Sequence, residues 1–285
     1  MTSRWIGAPA LTCALALQAC AALHGGQGAG LEASLAEAEI GFAAREDAVG
    51  LAATCEQLQG LAQGAEPEPR VLGLLARCRY AQAYLHGDAG EAAARLYEAG
   101  REAGWRCLEL DPSVQGVLAS TGGRMGAAVA ARIGADPGDC LIWTVANWSR
   151  WLVLRDPAAV GIDLLPLGSL ADRAVELSPG SAQALGLAGL AKSLAPRALA
   201  AGEPEAESFF LAAIARDPGD LSLRADLAEH VYAPRGDRTR LEATLADLLA
   251  LPAECSARWA PENRRAQERA RALLGPDTTT PGRPR

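Results

Sequence analysis

From Leu31 to Leu274 apolar residues recur three and four positions apart, the spacing of a helix that turns one face to a core. The pattern is cut repeatedly in one way. A helical run ends at Asp-Pro or Ser-Pro, as at Asp111-Pro112, Asp136-Pro137, Ser178-Pro179 and Asp217-Pro218, and a new run starts within a residue or two. Proline has no amide hydrogen to continue a helix but is tolerated in the first turn of the next one, so each cut reads as a stop and a restart.

The runs predicted this way are Leu31 to Gln63, either one long helix or a pair broken near Asp47; Arg70 to Leu85, after the stop Glu66-Pro67-Glu68-Pro69; and about Gly90 to Leu110. Asp139 to Leu154 follows, with Asp139 as a candidate N-cap, then Ala158 to Leu177, interrupted at Pro166. Leu221 to Val231, Arg238 to Leu251 and about Pro261 to Leu274 are the last. Ser113 to Ile133 has helical spacing but contains Gly116, Gly122, Gly123 and Gly126. Two readings fit it: glycines that let a neighbouring helix approach closely, or a helix that is kinked or broken there.

The expected fold is therefore all-α, a divergent tetratricopeptide-like helical-repeat array (an α-solenoid) of antiparallel helix pairs. Its clearest unit is Ala206-x3-Phe210-x2-Ala213-x4-Pro218, in which small residues admit a neighbouring helix, the aromatic fills the gap and the proline ends the helix. Pro179 and Pro218 lie 39 residues apart, longer than the usual period of about 34, so insertions are expected. The repeat domain spans residues 31–252, and residues 253–274 form a capping helix, polar on most faces (ENRRAQERARALL). Residues 275–285 are a tail of disordered composition.

One run differs from the others. Asp139 to Leu154 carries Trp143, Trp148 and Trp151, half of the chain's six tryptophans. Trp143, Asn147 and Trp151 fall on one stripe and Trp148 on another with Val145 and Leu152, so this helix is apolar on more than one face and belongs between neighbours. Within it, Asn147 is a buried amide that needs partners and Arg150 a charge close by. The tryptophans fit two roles: core filling, with Asn147 capping a neighbour, or the apolar wall of a ligand cavity or channel lined by Trp143, Asn147, Trp148, Arg150 and Trp151.

Composition agrees with helices and narrows the function. The 285 residues are 49% hydrophobic but only 5% aromatic, rich in Ala and Leu, which favours helix over sheet. A net charge of −7 gives no electrostatic support to a nucleic-acid partner. There is no HExxH, GxSxG or phosphate-binding loop; His24-Gly-Gly-Gln-Gly-Ala-Gly30 lacks both the preceding strand and the spacing of one. A non-enzymatic protein without a cofactor is the expectation.

The N-terminus speaks to location. Arg4 and the apolar run Trp5 to Leu17 make a signal peptide over residues 1–19, and Leu17-Gln18-Ala19-Cys20 resembles the lipobox of bacterial lipoproteins, with Cys20 as the acylated residue. The other reading is a plain signal cleaved near Ala22. With acylation, residues 20–30 are a lipid-anchored tether, and Ala21 after the cysteine favours the outer membrane. Five cysteines then remain in the mature chain: Cys55, Cys78, Cys107, Cys140 and Cys255. An odd count in an oxidising compartment leaves at least one thiol free. Cys55 and Cys78 lie almost symmetrically about the turn at Pro67, so a helix hairpin brings them opposite one another; they are either a disulfide or two small buried residues. No Cys/His spacing suggests a metal.

The motif W-x-x-x-N-W-x-x-W at Trp143 to Trp151, the helix end Ala-Val-Glu-Leu-Ser-Pro179, Leu194-Ala195-Pro196, Gly202-Glu203-Pro204-Glu205-Ala206 and Phe210-x-x-Ala213-x4-Pro218 together resemble the T-component (TatT) family. These are lipoproteins associated with tripartite ATP-independent periplasmic (TRAP) transporters. The resemblance covers about Cys140 to Pro252. It implies a tetratricopeptide-like periplasmic protein, a homo-trimer, with a channel through each protomer and a concave surface that docks a periplasmic substrate-binding protein. Under it, Arg150 pairs with the carboxylate of a small apolar ligand and the tryptophans receive its body. Family members commonly carry aromatic residues before the Leu-x-Pro element; here the chain reads Gly186-Leu187-Ala188-Gly189-Leu190.

Overall fold

A computed structural model describes residues 30–64, 67–87, 90–122, 126–134, 139–155, 161–194 and 202–275. The expected signal peptide, Cys20, Gly123, Ala195-Pro196 and the tail beyond Gly275 lie outside them. The chain divides into two compact units, Met1–Ala44 and Arg45–Arg285. Of the first, the described part is a helix, α1, over 30–43.

The second unit is all-α, with no strand among the described residues. Its helices are α2 (Ala48–Ala62), α3 (Pro69–His86), α4 (Glu91–Leu108), α5 (Pro112–Thr121), α6 (Ala127–Ala130), α7 (Cys140–Val153), α8 (Gly161–Leu177), α9 (Ala182–Ser193) and α10 (Gly202–Arg216). Then come α11 (Ser222–Leu227), a π-helical segment (Ala228–Tyr232), α12 (Ala233–Arg235), α13 (Arg238–Ala250), a 3₁₀ turn (Ala253–Cys255) and α14 (Ala260–Leu274). The break near Asp47 is real, because the Asp47 carboxylate accepts the Val49 amide at 3.1 Å and caps α2. Pro166 does not interrupt α8. Ile162, whose carbonyl loses its helical partner to this proline, is exposed, so water can replace the missing bond. Asp139 stands at the head of α7 but makes no side-chain cap; its backbone is left-handed, φ 57°.

The glycine-rich run after Asp111 is a broken helix. Gly122, at φ 65°, ends α5, and a side chain added at Gly116, Gly122 or Gly126 would meet open space. Close helix approach occurs elsewhere. On α4, a methyl at Gly100 would fall 2.3 Å from Asn147 Oδ1 and one at Gly104 2.4 Å from Thr144 Oγ1, so these two glycines, one turn apart, seat α4 on α7. On α9, Gly189 faces the Phe210 ring and Gly186 the Leu223 side chain, each too closely for a methyl. Ala206, Phe210 and Ala213 are all fully buried, as the repeat rhythm requires.

Helix order follows the chain, with α2 against α3, α3 against α4, α8 against α9 and α9 against α10, while α5 and α6 form an excursion that lets α4 pack directly on α7. Two disulfides staple these pairs. Cys55–Cys78 joins α2 to α3, as the symmetry about Pro67 suggested, and Cys107–Cys140 joins the end of α4 to the start of α7.

The last helix does more than cap an open array. Apolar residues of α11, α13 and α14 share one core around Leu221, Leu245, Leu248 and Ala266, and α14 also reaches back to α3. Arg269 Nη1 donates to the Tyr84 hydroxyl at 3.0 Å, and Arg45 Nε donates to Glu262 at 2.7 Å. A late helix thus closes on an early one, and the closure makes a cleft.

Candidate functional site

Helix α7 is buried along nearly its whole length; only Trp151 and Val153 of its 14 residues are partly exposed. Trp143 packs its ring 5.5 Å from Tyr80 of α3. Asn147, fully buried, donates from Nδ2 to the Ala76 carbonyl at 3.0 Å and to the Trp143 carbonyl at 2.8 Å, tying α7 to α3. Trp148, 1% exposed, lies 5.5 Å from the Arg101 guanidinium, and the Arg101 and Arg155 guanidiniums each lie 4.7 Å from the Trp151 ring. These four side chains are held among helices, and none of them lines the cleft described next.

Arg150 does line it. The cleft holds about 340 Å³. Its apolar walls include Ala83 (α3), Ala93 (α4), Val153, Leu154, Ala272 and Leu273, and its polar edge is made by Tyr84, Tyr97, Glu229, Arg265 and Arg269 beside Arg150. Four stretches far apart in sequence converge here. Tyr80 and Tyr84, one turn apart on α3, present parallel rings 5.7 Å apart, and Tyr97 of α4 tilts against Tyr80 at the same distance.

The arginine expected to meet a ligand carboxylate has a carboxylate within the chain. Arg150 Nη2 donates to both oxygens of Asp226, at 2.8 and 2.6 Å, and Nε reaches the Tyr80 hydroxyl at 3.4 Å. Asp226 also accepts from Arg269 Nη2 at 2.9 Å, and Arg269 Nε donates to Glu229 at 3.1 Å. The physical reason is desolvation: a guanidinium as buried as Arg150 would be costly without a counter-ion. Burial alone would raise the Asp226 carboxyl, but Arg150 and Arg269 outweigh it and hold it far below the ordinary range. Burial pushes His230 down to about 4, so at neutral pH its ring is uncharged, and its Nε2 lies 3.5 Å from Arg150 Nη1 as an acceptor. Burial likewise raises the hydroxyls of Tyr84 and Tyr97, which stay protonated.

Glu229 and His230 lie in the π-helical segment that begins two residues after Asp226; such segments are frequent at functional sites. Sequence reading missed all three, together with Tyr84, Tyr97 and Arg269. The missed signal was the pair Tyr80 and Tyr84, an i,i+4 repeat in a chain with only four tyrosines. The second disulfide, Cys107–Cys140, was missed as well. Cys255 is exposed and is the one free cysteine among the described residues. Among those residues no group of His, Cys, Asp or Glu is arranged to hold a metal ion, and no helix is long and apolar enough to cross a membrane. No protein-family model and no curated protein matches the sequence.

Proposed function

We propose that the protein is a lipid-anchored periplasmic accessory component of a TRAP-type solute transport system. It docks a substrate-binding protein and holds a small organic acid with an apolar body, which it passes on unchanged. The observation that carries this reading is the cleft. Its volume lies at the lower end of small-molecule sites, its walls are mostly apolar, and tyrosine hydroxyls and guanidiniums are gathered on one edge. Of its described lining residues three carry guanidiniums (Arg150, Arg265 and Arg269) and one a carboxylate (Glu229), a balance that favours an anion at that edge, while Asp226 and Glu268 pair with these arginines from outside the lining. With Arg150 and Arg269 both committed to Asp226, and Arg269 also to Glu229, Arg265 and Tyr97 are the groups offered to the ligand.

The test is affinity capture from detergent-solubilised membranes with the anchor intact. A solute-binding protein recovered repeatedly is the expected result; envelope-assembly machinery with no solute-binding protein overturns it. That second outcome would mark a generic tetratricopeptide-like scaffold in envelope assembly, a reading favoured by the burial of Trp143, Asn147 and Trp148 as packing residues. Under it, Trp148→Ala lowers stability without selectively removing a ligand.

A further inference from the structure

A second cavity, of about 250 Å³, lies where the end of α4 meets the start of α7. Pro69, Leu108, Leu110, Val114 and Ile133 line it, and the Cys107–Cys140 disulfide forms part of its wall. It shares no lining residue with the cleft at Arg150.

The polar groups at its border are already satisfied. The Asp111 carboxylate accepts from Ser113 through the amide at 2.8 Å and the hydroxyl at 2.7 Å. The Ile133 carbonyl accepts from Arg173 Nε at 2.9 Å and Nη2 at 2.7 Å. Proline 69 has no amide hydrogen to offer. A water molecule needs two to four polar partners to be held in a cavity, and the described lining of hydrocarbon and sulfur provides few. Polarisable sulfur is compatible with an apolar guest, aromatic rings included.

Two features make the space usable. The disulfide fixes α4 to α7, so the floor cannot collapse when empty. The cover, α5, buries little: Val114 is its only buried residue, and the Asp111 cap, the Ser113 Oγ bond to the Arg132 carbonyl at 3.1 Å and the Gln115 Nε2 bond to the Glu109 carbonyl at 2.7 Å all lie in its first turn. Gly122 ends it in a left-handed turn. Segments with so few buried contacts open at low cost. Leu110, 37% exposed, stands at the rim.

We propose that this cavity binds a small uncharged apolar molecule, a compact aromatic or hydrocarbon, admitted when α5 lifts. The volume exceeds that of a dry engineered cavity of about 150 Å³ that binds benzene, so a single substituted ring is well within its capacity.

Toluene is the probe, used with the disulfide-intact full chain and followed by NMR line broadening and by thermal unfolding. Saturable one-site binding with a rise in Tm is expected, and benzoate, its charged analogue, should not compete. Ile133→Phe, which fills the cavity, should raise the toluene Kd at least about tenfold while far-UV helicity is kept. If that variant fails to fold, Val114→Phe tests the same space from the cover. Leu273→Trp, in the other cleft, should leave toluene binding unchanged. Toluene binding that does not saturate, that survives both filling variants, or that is lost in Leu273→Trp overturns the proposal.

Discussion

Asn147 of α7 and Gly100 of α4 meet so closely that the amide oxygen occupies the space a methyl on Gly100 would need. The same amide is pinned on its other side by the Ala76 and Trp143 carbonyls, so it cannot step aside. Gly100→Ala should therefore cost about 1–3 kcal/mol, as overpacking of a fixed core does. Gly116→Ala, in the exposed middle of α5, should instead be neutral or gain up to about 1 kcal/mol. Urea unfolding of the two variants checks the opposite signs.

Removing one partner of the Arg150–Asp226 pair strands a charge inside the protein. Asp226→Ala should lose about 3–5 kcal/mol, and Arg150→Met a comparable amount. The double variant should lose clearly less than their sum, because neither charge is left behind. A double-mutant cycle by chemical denaturation measures the coupling; strict additivity would mean the pair contributes nothing specific. Asp226 titrates well below its unfolded value, so its stabilisation is full above about pH 4 and fades as acid protonates it.

Two other buried groups give the pH profile opposite slopes. His230 is held at about 4 against 6.5 when unfolded, so stability falls as pH drops from 6.5 toward 4. Asp220, raised by burial to about 7 from 3.8, makes stability fall as pH rises from 3.8 toward 7. His230→Gln should raise Tm relative to the parent at pH 4.5 and leave it unchanged by this mechanism at pH 8. Asp220→Asn, which keeps an oxygen for the Ser222 amide and hydroxyl, should raise Tm at pH 8 and not at pH 3.5. Scanning calorimetry at these pH values tests both.

In the oxidised, folded protein one thiol of the repeat body, Cys255, should react with iodoacetamide, and reduction should expose four more. Cys107→Ser with Cys140→Ser should cost about 3–4 kcal/mol by the loop-entropy relation, with a similar loss for Cys55→Ser with Cys78→Ser. Peptide mapping after alkylation, with urea denaturation of each pair, is the measurement.

The helix succession was legible because these stops are chemical and local: Asp47 caps α2, Asp111 caps α5, and Pro112 begins the turn after Asp111. The Cys55–Cys78 pair was legible for the same reason, lying on two consecutive helices. Cys107–Cys140 was not, because the α5–α6 excursion hides the fact that α4 and α7 are neighbours. The tryptophans of α7 announced a buried helix, yet an aromatic stripe looks the same whether it faces packed side chains or a void. Asp226 lies 76 residues from Arg150, and nothing local in Leu-Ala-Glu-His-Val-Tyr signals the π-helical turn that aims His230 at it. Glycines showed the same limit: Gly116, Gly122 and Gly126 meet open space, whereas Gly100 and Gly104 make the close approach.

The contact between α14 and α3 also ties the cleft to the closure of the helix array. Arg265, Arg269, Ala272 and Leu273 complete a wall begun by Ala83 and Tyr84, and the Arg269–Tyr84 bond spans 185 residues of sequence. Without α14, the stacked tyrosines of α3 lose that neighbour and Asp226 keeps one guanidinium instead of two. Cleft and closure therefore stand or fall together: whatever loosens the docking of α14 dismantles the wall as well.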